Sequence, residues 1–218
     1  MKETLTVKRA VYEENDRRAL VLHERFAEKN LFVVNILGGP GAGKTSSLKQ
    51  IISRLRNTGD RSVAVIEGDI SSDIDTRALK ALGIEAYQIE TGGDCHLNAP
   101  MIEKIVDGME LKRDGWLFIE NIGNLVCPAE FVIGEDIKLV VSSTAEGSDK
   151  PYKYPAVFQK AAAVILTKKD LAGYVNFDEA YFASGVRSLN GEAPIFPVNA
   201  LTGEGFDEVA AWLSALHK

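Results

Sequence analysis

The sequence predicts an α/β fold: a doubly wound, mostly parallel sheet with helices on both faces, preceded by an N-terminal helical arm. Two observations carry this. Short apolar runs rich in Val, Ile and aromatic residues recur along the chain, each too short for a helix. Stretches with helical spacing separate them. Near-continuous apolar runs suit strands covered on both faces, which is the condition of a parallel sheet.

In order, residues 4–29 read as a charged, weakly amphipathic helix, so residues 1–30 form the expected arm and 31–218 the expected body. The candidate strands are "LFVVNIL" (31–37), "SVAVIE" (62–67), "IEAYQIE" (84–90), "GWLFIE" (115–120), "DIKLVVSS" (136–143), "AAVILT" (162–167) and "APIFPVN" (193–199). Helical spacing fills 44–57, 73–82, 98–111, 176–189 and 204–217. In such folds ligands sit at the carboxyl ends of the strands.

Composition narrows the function. The 218 residues are 45% hydrophobic, enough for a sizeable core, and carry a net charge of −6. No basic stripe suggests a nucleic-acid partner. No apolar run reaches the length of a membrane span. The first twenty residues lack the pattern of a signal peptide, and two distant cysteines fit free thiols in a reducing, cytoplasmic setting.

"LGGPGAGKTS" holds Gly38-xxxx-Gly43-Lys44-Thr45, the phosphate-loop pattern, between a strand and a helix. Gly38, Gly39, Gly41, Ala42 and Gly43 let backbone N–H groups converge on phosphates. The opening helix, through Lys44, Thr45 and Ser46, adds its positive end. Lys44 is expected on the β and γ phosphates and Thr45 on Mg²⁺. That places the body among P-loop NTPases. A phosphate-bound Mg²⁺ also takes carboxylates, and Asp69 and Glu120 both end strands. Asp73 and Asp75 lie nearby, where at least one reads as a helix cap. Glu120-xx-Gly123 resembles the acidic switch of P-loop GTPases, whose glycine N–H touches the γ-phosphate.

"VILTKKDLAG" offers Lys168 and Asp170 after a strand. A carboxylate accepts from both guanine N1–H and N2–H₂, donors that adenine lacks, so Asp170 selects guanine. The pattern resembles Asn-Lys-x-Asp with Thr167 in place of Asn. In "VNALTGEG", Ala200 and Leu201 stand where a backbone loop meets the base carbonyl, with Asn199 where Ser is common. Asn124 follows Gly123 where some GTPases carry a water-orienting Gln, and no arginine finger is evident, so slow GTP turnover is expected.

"TGGDCHLNAP" puts Cys95 beside His96, and the only other cysteine is Cys127 in "NIGNLVCPAE". Both loops should leave the phosphate edge of the sheet. Two thiolates and an imidazole suit Zn²⁺ or Ni²⁺. Without a C-xx-C pair, spacing alone also fits buried thiols beside a hydrogen-bonded histidine. His23 and His217 read as surface residues.

"GGPGAGKTS", "EGDI", "TGGDCHLNAPM", "ENIGNLVCPAEF", "STAEGSDKPYKYP" and "TKKDLAG" occur together and in order. Over residues 30–210 the chain resembles the hydrogenase nickel-incorporation GTPase family, HypB. The resemblance implies GTP hydrolysis coupled to nickel delivery during maturation of the [NiFe]-hydrogenase large-subunit precursor. It also implies a homodimer and a small nickel metallochaperone partner. Carried over by position, Cys95, His96 and Cys127 are the metal ligands. Two departures stand out: residues 1–30 carry no cysteine and one histidine, and Thr167 replaces Asn. Lys150 and Lys153 in "SDKPYKYP" read either as phosphate contacts across a dimer or partner, or as solvated lysines. Competing readings are a urease-type nickel-insertion GTPase, a dimerising nucleotide switch with structural thiols, and a small-molecule P-loop kinase.

Overall fold

The computed structural model describes residues 2–59, 61–69 and 73–217. Its first half runs α1 (Lys2–Ala27), β1 (Leu31–Gly38), α2 (Lys44–Thr58), β2 (Ser62–Asp69), α3 (Ile74–Ala81), β3 (Glu85–Glu90), α4 (Ala99–Val106), β4 (Gly115–Glu120) and α5 (Cys127–Glu130). It continues through β5 (Ile137–Ser143), α6 (Lys150–Lys153), α7 (Pro155–Gln159), β6 (Ala163–Thr167), α8 (Glu179–Leu189), β7 (Ile195–Pro197) and α9 (Phe206–Leu216). The seven strands form one sheet, ordered β3-β2-β4-β1-β5-β6-β7, and every described pairing is parallel.

Strand alternation divides the core. On β1, Val34 and Ile36 face α2 and α9, packing with Leu48, Ile51, Val209 and Leu213. Val33 points the other way, toward Leu22 and Phe26 of α1 and Ile102 and Val106 of α4. Leu37 shares that second face further along, with Val157 and Phe158 of α7 and Phe182 of α8. Leu22 and Phe26 are each 1% exposed. Burying both contributes about 3–6 kcal/mol before entropy, so the C-terminal half of α1 is packed into the core.

Local chemistry sets several boundaries. Asn98 caps α4 by accepting from the Met101 N–H at 3.0 Å, and Asp178 caps α8 by accepting from Tyr181 N–H at 2.8 Å. α9 follows Gly205, where φ is +82° and an added Cβ would lie 2.6 Å from the Pro197 carbonyl.

The elements depart from the expected ones in three places. The helix expected over 98–111 ends at Val106, before Gly108. The strand expected over 193–199 shortens to Ile195–Pro197, bracketed by prolines that cannot donate to a ladder. The crossover from β5 to β6 is built from α6 and α7, too short to show a helical period. His217, expected at the surface, is 5% exposed. Its ring stands edge-on to Trp116 and stacks on Phe32 at the amino-terminal edge of the sheet, where the ring's apolar faces outweigh its polarity. His23 is partly exposed and lies 3.9 Å from Asp136.

Candidate functional site

The carboxyl ends of β1, β2 and β4 frame a cleft of about 530 Å³. Pro40, Gly41, Gly43, Lys44, Thr45 and Ser46 form one wall. Gly68, Asp69, Asp75, Glu120–Gly123 and Lys168 complete it. Gly38 must be glycine, because a Cβ there would stand 2.5 Å from the Val141 carbonyl. Gly41 and Gly43 take φ of +71° and +96°, turning the loop so that α2 starts at Lys44. Lys44 is buried, and its Nζ donates to the Gly39 carbonyl across the loop at 3.4 Å.

Parallel pairing places Glu67 of β2 opposite Glu120 of β4. Both are buried, at 5% and 8% exposed. Thr45 Oγ1 lies 2.9 Å from Glu120 Oε1 and 3.3 Å from Asp75 Oδ2. Thr76 Oγ1 donates to Glu67 Oε2 at 2.6 Å. Glu120 Oε2 and Glu67 Oε1 are buried without a hydrogen-bond partner. Burial lifts the Glu120 carboxyl to about 7; Lys44 opposes that rise and Glu67 adds to it. Burial also raises Glu67. Two adjacent buried carboxyls with orphaned oxygens, beside a P-loop hydroxyl, fit a divalent cation. Neither Asp73 nor Asp75 caps α3 through its side chain: Asp73 pairs with Arg77 at 2.6 Å, while Asp75 turns toward Thr45 and Lys49.

At the base end, Thr167 is 1% exposed and donates to the Ala42 carbonyl at 2.6 Å. The hydroxyl thus braces the P-loop backbone. Lys168 has φ +58°, and its Nζ donates to the Gly41 carbonyl at 2.9 Å. Asp170 is exposed just beyond β6, and Ala200 and Leu201 follow β7; all three lie outside the lining of the phosphate cleft. Asn199 Oδ1 orders that last loop by accepting from the Leu201 and Thr202 N–H groups. Gln50 Nε2 donates to the Ala200 carbonyl at 2.8 Å. Lys150 sits 3.7 Å from Glu146 and Lys153 2.5 Å from Asp149, so each meets an acid of its own segment.

The thiols and the imidazole converge. One ligand atom each from Cys95, His96 and Cys127 lies within 4.8 Å of the others. Cys95 Sγ is 3.6 Å from His96 Nδ1. Gly92 and Gly93, at φ +63° and +123°, turn the chain into Cys95, and Cys127 opens α5. Burial lowers the His96 pKa, which favours the neutral, ligating imidazole near pH 7. The hydrogen bond between Cys95 and Cys127 is the first cause raising the Cys95 thiol; burial adds to it. The donor set fits a borderline-soft divalent metal.

Sequence patterns alone did not point to the outer wall of this cluster. Phe131 stacks on His96 at 4.0 Å and on Tyr12 of α1 at 4.9 Å. Tyr12 Oη donates to Glu130 at 2.9 Å. Buried Asn15 donates to the Val132 carbonyl at 2.8 Å and accepts from Ala99 N–H at 2.9 Å. It therefore ties both ligand segments to α1. Asn121, 1% exposed, accepts from the Leu97 and Ile122 N–H groups, both at 3.0 Å.

The model of the CobW/HypB/UreG nucleotide-binding domain matches residues 32–197. The chain belongs to this family. HypB proteins are among its similar relatives. The hydrogenase maturation factor HypB of Escherichia coli K12 is 42% identical over 209 residues, covering 96% of this chain and 71% of that protein. The hydrogenase/urease maturation factor HypB of Helicobacter pylori strain 26695 is 34% identical over 97% of this chain and 88% of its own length. The crystal structure of H. pylori HypB in complex with nickel superposes with a TM-score of 0.87 at 35% identity, covering 94% of this chain and 95% of that one. HypB from Archaeoglobus fulgidus gives the same TM-score at 33% identity, over 94% and 100% of the two chains. The HypB fold thus accounts for the whole sheet. No helix among the described residues is long and apolar enough to cross a membrane.

Proposed function

We propose that this chain is a GTP-hydrolysing metallochaperone that carries Ni²⁺ as cargo during [NiFe]-hydrogenase maturation. The observation that carries the reading is the convergence of Cys95, His96 and Cys127 at the end of the loop that leaves Glu120. That arrangement would join one cargo ligand, Cys127, to the nucleotide switch through one segment of eight residues, 120–127. The HypB relatives, one of them solved with nickel, support the same reading.

In this mechanism the P-loop amides and Lys44 bind the β and γ phosphates, and Asp170 reads guanine. Thr45 and Glu120 would hold Mg²⁺, with Asp69 and Asp75 close by; the ion supplies charge neutralisation at the phosphates. Gly123 lies against Pro40, where an added Cβ would meet the proline at 3.1 Å; in this reading its N–H would sense the γ-phosphate. Asn124 spends its side-chain amide on protein groups. With no side chain assigned to orient water, basal turnover belongs on the scale of unassisted small GTPases, roughly 10⁻³ s⁻¹ or below. The expected partners are a second copy of the chain, a small nickel metallochaperone and the hydrogenase large-subunit precursor, in the cytoplasm. Zn²⁺ fits the same three donors.

The test is a Ni²⁺ titration of wild type, Cys95→Ala and Cys127→Ala, each with GDP and with a non-hydrolysable GTP analogue. The reading expects each substitution to abolish a thiolate-bound Ni²⁺ site and the nucleotides to change wild-type affinity. Unchanged stoichiometry in both folded variants would leave the thiols as packing and favour a dimerising switch. Asp170→Asn should erase the preference for GTP over ATP; a preserved preference would favour the kinase reading.

A further inference from the structure

Asn124 touches three parts of the site at once. Its backbone forms an antiparallel bridge with Gly38, the first glycine of the P-loop. Its Nδ2 donates to the Cys95 carbonyl at 3.2 Å. Its Oδ1 accepts from the Val126 N–H at 2.9 Å, ordering the turn that delivers Cys127. The preceding residue, Gly123, rests on Pro40 of the same loop. The chain of contacts therefore runs from the phosphate loop through one half-buried side chain to the Cys95 carbonyl and to the residue before Cys127.

Its neighbour Asn121 makes a useful contrast. That amide is fully enclosed: it accepts from Leu97 and Ile122 and donates to Asn35 Oδ1 at 3.3 Å. Asn121 fixes the root of the switch loop to the body. Asn124 stands beyond that root, on the part of the loop that bridges to Gly38 of the phosphate loop.

We infer that Asn124 is a positioning residue for the cargo site: it transmits the position of the switch loop to the separation between Cys95 and Cys127. The inference rests on the metal reading proposed above. It reassigns Asn124 from the place where a water-orienting amide would sit. When the loop closes on a γ-phosphate, the Cys95 carbonyl and the Val126 turn move with Asn124 as one unit; when the loop relaxes, they separate. The cargo ligands thus have two arrangements, one per nucleotide state.

The two bonds can be separated chemically. Asn124→Asp keeps an oxygen for Val126 N–H but replaces the donor to Cys95 with a second acceptor. Asn124→Ala removes both. Ni²⁺ affinity is measured by competition with a chromophoric chelator in GDP and in a non-hydrolysable GTP analogue. The Ni²⁺–thiolate charge-transfer band and the GTP hydrolysis rate are recorded alongside. Wild type should show a ratio of ~5-fold or more between nucleotide states. Both variants should bring that ratio to within about 2-fold, with the charge-transfer band shifted because the sulfurs no longer share one geometry. A wild-type ratio retained in Asn124→Asp overturns the inference. So does a hydrolysis rate that falls while the nickel ratio survives, which would return Asn124 to water orientation. Wild type binding Ni²⁺ through its thiols with equal affinity in both states refutes the gate and this residue's role in it. Wild type binding no Ni²⁺ through the thiols refutes the metal reading itself.

Discussion

Asn15→Ala tests whether α1 is part of the cargo site's foundation. Asn15 is 3% exposed and joins two segments distant in sequence, through Val132 and Ala99. The Ala99 N–H belongs to the first turn of α4, so it has no partner within its own helix. Truncation strands one buried N–H, at about 1–3 kcal/mol, and one partly exposed C=O, at the low end of that range. The apolar groove beside Asn15, lined by Ala10, Val11, His96 and Phe131, lets water reach part of the gap and trims the sum. A loss of about 2–4 kcal/mol remains. For a chain of this size that is a fall of about 5–12 °C in Tm. Equilibrium urea unfolding measures it, with Leu20→Ala on the exposed face of α1 as control. A change under about 0.5 kcal/mol would mean the two bonds stabilise nothing, and α1 would be held by its other contacts, Leu22 and Phe26 among them.

Other outcomes follow from single contacts. Glu120 is raised from 4.5 to about 7, so the folded state holds a proton that the unfolded chain has released between those values. Its contribution to stability in metal-free, nucleotide-free protein therefore falls as pH rises through that window, by at most about 3 kcal/mol. Glu120→Gln should remove that fall; parallel pH profiles for variant and wild type would contradict the assignment. Thr167→Val removes the hydroxyl bond to Ala42 and should weaken GDP binding by about 5-fold, read by calorimetry; an unchanged Kd would mean the brace is idle. Tyr12→Ala exposes one face of Phe131 and should weaken Ni²⁺ binding by roughly 3- to 10-fold, while Tyr12→Phe, which keeps the ring, should lose less. Equal affinities in all three proteins would detach α1 from the metal site. Amide exchange should be faster over 85–96 than over 115–121, since β3 is an edge strand and β4 is central; equal protection would refute that difference.

The sheet was legible because its signal is periodic. Runs such as "GWLFIE" have too few polar residues for any element but a strand buried on both faces, and β4 is buried at all six positions. The P-loop was legible because its glycines answer a backbone demand that few other residues meet. His217 was misread because a lone imidazole in sequence carries no sign of the aromatic rings that fold around it. Glu67 was missed although it stands in "VIEGDI"; only the register opposite Glu120 shows that two acids share one burial. Asn15, Tyr12 and Phe131 were beyond reach for a similar reason. Their contacts between α1 and the ligand segments join positions more than eighty residues apart, and no local pattern encodes such a meeting.

The order β3-β2-β4 has one more consequence. The loops bearing Cys95 and Cys127 leave strands that are not neighbours; β2 runs between them. At about 4.8 Å per strand, their roots stand roughly 10 Å apart, so each loop must lean over the end of β2 for the donors to meet. One root is held by hydrogen bonds on both sides and the other on one side only. The three-point grip therefore spans a seam between an internal strand and an edge strand, and the residues that close it must reach across the end of β2.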